Sequence, residues 1–219
     1  MFSDTVIKML GMGILETLYM TLFSSFIAYI IGLPVGILLV ITDRDGITPN
    51  ATVNKVVGII VNIVRSVPFI ILLIVIMPLT KVIIGTTIGP SAVVIPLIVS
   101  SAPYIARIVE SSLKEVDKGV IEAAQSMGAS PIQIIFKVLI PEAKPSLIIG
   151  SAIAVSTILS YTVMAGFVGG GGLGDIAIQY GYYRYQTDIM LVAVVLLIII
   201  LQVVQELGSS MTKRSDKRL

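Results

Sequence analysis

Five long apolar blocks dominate this chain, spanning approximately residues 14–41, 56–79, 88–109, 145–168 and 188–207 of 219. Each is long enough to cross a hydrocarbon core of about 30 Å as a helix. Only 13% of the residues are charged, against roughly 25% in soluble domains, so the chain lacks the polar surface that a water-exposed fold needs. The expected fold is all-α: a polytopic membrane protein with about five transmembrane helices, forming one transmembrane domain over residues 1–219. The first block is too long for the h-region of a signal peptide and carries no short basic lead before a small-residue cleavage site. It reads as a retained helix. The tail after Leu207 is short and basic and is expected to fray.

Lys and Arg placement gives the expected orientation. With the N-terminus outside, the inner segments hold eleven basic residues: Arg44, Lys55, Arg107, Lys114, Lys118, Lys137, Lys144, Lys213, Arg214, Lys217 and Arg218. The outer segments hold Lys8, Lys81 and Arg184, and Arg65 falls inside a span, which accounts for all 15. The positive-inside rule therefore predicts N-terminus outside and C-terminus inside, with Gly170 outer and Ser209 inner. Tyr180, Tyr182, Tyr183 and Tyr185 sit in the last outer segment, as an interfacial aromatic belt would. The net charge of +2 and the absence of a basic stripe argue against a nucleic-acid partner. The chain has no Cys and no His. That removes disulfides, thiolate or imidazole metal sites and His-based triads, and no cofactor is expected.

The inner stretch between the third and fourth spans, about residues 118–141, carries the most information. It reads as two short helices with a break. Gly128 can end the first in a left-handed conformation. Ser130 can cap the second, with Pro131 at its favoured first position. Ile121, Ala124, Met127, Ile132, Ile135 and Leu139 supply an apolar face, while Glu122, Gln125 and Lys137 stay polar. Such a hairpin suits a membrane surface or a groove on another protein.

Glu122-Ala123-Ala124, three residues, Gly128, and the ending Val138-Leu139-Ile140-Pro141 resemble the EAA loop of ABC importer permeases. Glu122, Ala123, Ala124, Gly128 and Pro141 match position for position; Val138 and Ile140 are mild apolar departures. Arg65-Ser66-Val67-Pro68-Phe69 through Leu73 is similar to the corresponding helix of the methionine permeases. So are the run from Gly169 through Leu173-Gly174-Asp175 to Tyr180-Gly181-Tyr182, and Gln186-Thr187-Asp188-Ile189-Met190. The resemblance covers nearly the whole chain. It implies a cytoplasmic coupling-helix hairpin that docks on ATPase subunits. It also implies a homodimer of this subunit in the bacterial cytoplasmic membrane, two ABC ATPase subunits, and an extracytoplasmic methionine-binding lipoprotein. Its expected function is to form the translocation pathway for methionine while ATP is hydrolysed elsewhere. A permease of the same architecture for another amino acid or small nutrient is the alternative, because substrate identity rests on the resemblance alone.

The energy source is not in this chain. No G-x-x-x-x-G-K-[ST] phosphate cradle occurs, and the glycine run Gly169–Gly172 lacks the Lys and the preceding strand. That run reads either as a flexible turn or as a gate hinge. Arg65, about nine residues into the second block, is a candidate pathway residue that meets a substrate carboxylate near mid-depth. Its plainer reading is a structural group bonded to carbonyls freed by Pro68 or to a neighbouring helix. Met164, toward the outer end of the fourth block, is a candidate gate, since dimeric permeases close where equivalent helices meet; its plainer reading is packing. Ser151, Ala152, Ala154, Ser156 and Ser160 permit close helix approach. A secondary transporter would need more spans and an acid near the midplane. A membrane-embedded enzyme would need a nucleophile with a base or metal.

Overall fold

The structure is a computed structural model that describes residues 3–215. Lys217 and Arg218, counted above among the inner basic residues, lie outside the described residues, as do the side chains of Lys213 and Arg214. The described residues form α1 (Asp4–Ile41), α2 (Ala51–Ser66), α3 (Phe69–Ile84), α4 (Pro90–Lys114), α5 (Lys118–Ser126), α6 (Pro131–Ile134), α7 (Ile140–Glu142), α8 (Lys144–Ala165), α9 (Gly172–Ile176) and α10 (Thr187–Ser215). A π-helical turn, Ile135–Leu139, joins α6 to α7, and a second, Ala177–Tyr183, follows α9. The fold is all-α. Four helices, α1, α4, α8 and α10, are long and apolar enough to span a membrane, and the bent pair α2–α3 makes a fifth candidate.

Two spans differ from expectation. The second is not one helix: α2 and α3 meet at a bend of 105°. Val67 and Pro68 are both extended there, with ψ of 122° and 135°. Proline disfavours α geometry in the residue before it, and Val67 complies. Pro34, Pro96 and Pro103 lie inside intact helices, so proline alone does not break a span. What holds this break is the next residue. Phe69 is buried and stacks on Tyr161 of α8 at 4.5 Å between ring centroids. The first span starts ten residues earlier than expected, because Leu10 packs in a small core with Leu173, Ile176, Ile189 and Ala193. The tail expected to fray after Leu207 continues α10 to Ser215.

Contacts between helices give their relative directions. A Cβ on Gly32 would lie 2.7 Å from the Ala102 carbonyl oxygen, and one on Gly36 would lie 2.6 Å from that of Ala106. Gly32 and Gly36 therefore seat α1 directly on the α4 backbone, and the two helices run parallel. Helix α8 runs opposite to α4, since Ser146 Oγ donates to Ser112 Oγ at one end while Gly89 N–H donates to the Gly169 carbonyl at the other. Helix α10 opposes α8, with Gly208 against Ala152. Asn54 Nδ2 ties the start of α2 to the Leu39 carbonyl and to Thr42. The C-terminal ends of α1, α4 and α10 thus share one end of the bundle with the α5–α7 hairpin, here called the hairpin end.

In lipid, where helices gain nothing by hiding carbon from water, such small-residue contacts carry the association. Gly36→Leu should lower the midpoint of thermal unfolding in detergent by the equivalent of about 1–3 kcal/mol, the usual penalty of overpacking. Gly11→Ala, where an added Cβ meets nothing within 4 Å, should leave the midpoint unchanged or raised.

Candidate functional site

The hairpin forms as the residues dictate. Gly128 N–H donates to the Gln125 carbonyl and Ala129 N–H to the Ala124 carbonyl, the paired bonds of a glycine-terminated helix, and Gly128 sits at φ +77°. Ser130 Oγ accepts from Gln133 N–H at 3.4 Å while Gln133 Oε1 accepts from Ser130 N–H at 2.9 Å, a complete capping box with Pro131 next in line. The expected apolar face is split in the structure. Ala124, Ile135 and Leu139 are buried, and Ile121 partly so. Met127 and Ile132 instead point outward, at 82% and 69% exposure, alongside Val120 and Phe136. The buried set belongs to the same continuous core as Val109, Leu113 and Ile158 of α4 and α8. One face of the hairpin is thus fused to the bundle, and the other presents an apolar patch.

Glu122, Ala123 and Gly128 are exposed on α5 and its turn, Ala124 is buried beside them, and Pro141 lies exposed at the far end of the returning segment. A polar chain runs behind the hairpin. Asp43, just past α1, pairs with Lys114 Nζ at 2.8 Å; Lys114 reaches Glu110 at 3.0 Å; Glu110 also binds Arg107. Arg107 Nη2 then donates to Asn62 Oδ1 at 2.8 Å and to the Gly58 carbonyl on α2. The Lys114 ammonium and the Arg44 backbone N–H hold the Asp43 carboxyl below the usual carboxylate range. Lys118, the first residue of α5, pairs with Asp45 at 3.1 Å. Asp43, Asp45, Lys114 and Lys118 border a cleft of about 370 Å³ that also includes Glu122 and Gln125.

Arg65 occupies the last turn of α2, exposed and without an ion-pair partner among the described residues. It makes no bond to a freed carbonyl. Because α2 begins at Ala51, Arg65 lies about 21 Å along its axis at 1.5 Å per residue. Met164 is exposed on α8. It continues a stripe of Ile149, Ile153, Ser156, Thr157 and Ser160 that walls a groove of about 710 Å³ shared with α10. The structure does not bring Arg65, Met164 and the hairpin into one site.

The glycine run is tied by hydrogen bonds to α1 and to the end of α8. Gly172 N–H donates to Glu16 Oε2 at 2.7 Å, Leu173 N–H to Thr17 Oγ1 at 2.9 Å, and Gly170 N–H to the Ala165 carbonyl at 3.0 Å. No three metal-ligating side chains converge among the described residues.

The family described as the binding-protein-dependent transport system inner membrane component matches residues 32–219. The chain belongs to that family. A probable D-methionine transport system permease protein of Vibrio cholerae is 47% identical over 93% of this chain and 90% of its own. The methionine import system permease protein of Bacillus subtilis is also 47% identical, over 93% of this chain and 91% of its own. Among solved structures, inward-facing conformations of the MetNI methionine ABC transporter superpose with a TM-score of 0.97 at 45% identity, covering 99% of this chain and all of that one. An amino acid ABC transporter with 20% identity and a TM-score of 0.78 shares the fold.

Sequence reading of this inner membrane component missed three features. Gly32 and Gly36 carry the four-residue spacing of close helix contact. Arg107, Glu110 and Lys114 carry i,i+3 and i,i+4 spacing. Glu16 and Thr17 gave no local signal, because their partners are 156 residues away. Glu110 is only 12% exposed and holds two cations. Glu110→Ala should therefore cost about 1–3 kcal/mol of stability by thermal unfolding in detergent. Lys118→Ala, whose pair is exposed, should cost no more than about 0.5 kcal/mol.

Proposed function

We propose that this chain is the permease subunit of an ATP-driven methionine importer, acting as a homodimer beside two ATPase subunits and fed by an extracytoplasmic binding lipoprotein. The observation that carries this reading is the match over 99% of the chain to a methionine ABC transporter. In this reading the hairpin end is cytoplasmic, as the excess of Lys and Arg there supports. The outward patch of Val120, Met127, Ile132 and Phe136, with Glu122, Ala123 and Gly128 beside it, is the surface for an ATPase groove.

Coupling follows from how the hairpin is built. Its inner face shares a core with α4 and α8, so force on the outer face moves those helices with it. Rigid packing transmits displacement because close-packed interiors do not compress. The α8 stripe lines the pathway at the dimer axis, with Met164 as part of the outer seal. The likeness to inward-facing conformations supports a sealed outer end in this arrangement. In the same reading Arg65, exposed in the last turn of α2 and without an ion-pair partner among the described residues, meets a substrate carboxylate.

Two measurements test the reading. Gly128→Val should insert and fold, since an added Cβ meets nothing within 4 Å in this chain, yet the left-handed backbone costs an L-residue roughly 1–2 kcal/mol. Copurification of the ATPase and substrate-stimulated hydrolysis should both fall about tenfold, whereas Gly128→Asn, which tolerates that backbone, should retain most of both. Parent-like coupling in Gly128→Val would remove the hairpin from the coupling role. For orientation, a membrane-impermeant thiol reagent on intact cells should label Tyr182→Cys and spare Ser209→Cys. Tyr182 serves better than Gly170, which is buried against Ala165 and Val93.

A further inference from the structure

Glu16 is a carboxylate in a long apolar helix, and nothing in the coupling or pathway reading uses it. Its Oε2 accepts the Gly172 amide at 2.7 Å. The next residue, Thr17, accepts the Leu173 amide at 2.9 Å and donates its own proton to the Gly13 carbonyl at 2.8 Å. Two consecutive side chains of α1 thus satisfy the first amides of α9, groups that no intrahelical carbonyl can reach. The fit is close on both sides. A Cβ on Gly172 would lie 2.7 Å from Thr17 Oγ1, and one on Gly171 would lie 2.9 Å from Glu16 Oε2. Both glycines also hold φ near +79°, at 79° and 78°, so this turn is shaped for these acceptors.

The other side of α9 rests on α8. A Cβ on Gly166 would lie 2.6 Å from the Asp175 amide nitrogen, and one on Gly174 would lie 2.5 Å from Val163 Cα. Val163 and Gly166 flank Met164 and Ala165 at the end of α8. Helix α9 is therefore a wedge, hydrogen-bonded to α1 on one face and in backbone contact with the end of α8 on the other.

We propose that Glu16, with Thr17, is a positioning residue for the outer seal: it latches α9 to α1, and α9 fixes the end of α8 that carries Met164. The functional consequence rests on the reading of Met164 as part of that seal; the latch itself does not. Losing the acceptor frees α9 and lets the end of α8 drift, so ATP is hydrolysed without a closed outer side and transport uncouples from hydrolysis.

This chain has no native Cys, so a cysteine introduced into it is the only one it contributes to the assembled transporter reconstituted in vesicles. Leu173 is fully buried, so Leu173→Cys reports release of α9. A membrane-impermeant maleimide should label it about tenfold faster in Glu16→Ala than in the parent, the change expected from one lost charge-assisted hydrogen bond. Glu16→Gln keeps a carbonyl acceptor and should label at the parent rate, a rescue that a general packing defect does not give. Methionine transported per ATP hydrolysed should fall in Glu16→Ala while hydrolysis continues. Where Glu16→Ala does not assemble, Thr17→Val carries the same labelling test with the same shape and no acceptor. Equal labelling of the parent and the variant, or equal loss in Glu16→Gln and Glu16→Ala, overturns the latch. The seal is read separately, by intersubunit crosslinking of Met164→Cys without nucleotide. Its absence removes Met164 from the seal and leaves the labelling result to decide the latch.

Discussion

Inside lipid, two apolar helices gain nothing by hiding carbon from water, so their association depends on how closely their backbones approach. Gly32 and Gly36 bring α1 onto Ala102 and Ala106 with no side chain between. That contact sets two parallel helices in a fixed register, and both ends of the bundle follow from it. At one end it brings Asp43 to Lys114, and at the other it sets Glu16 and Thr17 under the glycine run.

Charged groups tie helices to one another at both ends of the bundle. At the hairpin end, Asp43, Lys114, Glu110, Arg107 and Asn62 alternate in charge or dipole and join α1, α4 and α2. Apolar continuity does the rest. Ala124, Ile134 and Leu139 extend the transmembrane core into the hairpin, which makes the hairpin a part of the bundle and not an appendage. A docking element needs both properties: a face anchored to what must move, and a face left free.

The second span breaks directly after a cation. Val67 and Pro68 leave the helix, Phe69 re-anchors the chain on Tyr161, and Arg65 ends α2 where the backbone turns. Non-helical backbone at membrane depth is stable only where protein or a wet cavity covers it. The break and the outward stripe of α8 therefore call for cover by a second copy or by water.

Much of this was legible in the residues. The apolar runs dictated helices of membrane length because unpaired amides are prohibitive in hydrocarbon. Gly128, Ser130 and Pro131 encoded the hairpin turn through local backbone preference, and all three took the expected roles. Local chemistry could not decide whether Pro68 breaks a span while Pro34, Pro96 and Pro103 do not, because that depends on a ring stacked from α8. Nor could it decide that Met127 and Ile132 face outward, since which face of the hairpin meets α4 and α8 is set by tertiary packing. The ties of Glu16 and Thr17 to Gly172 and Leu173 were equally hidden. Helix, turn and cap are written within a few residues of one another, whereas a partner 156 residues away exists only once the bundle has closed.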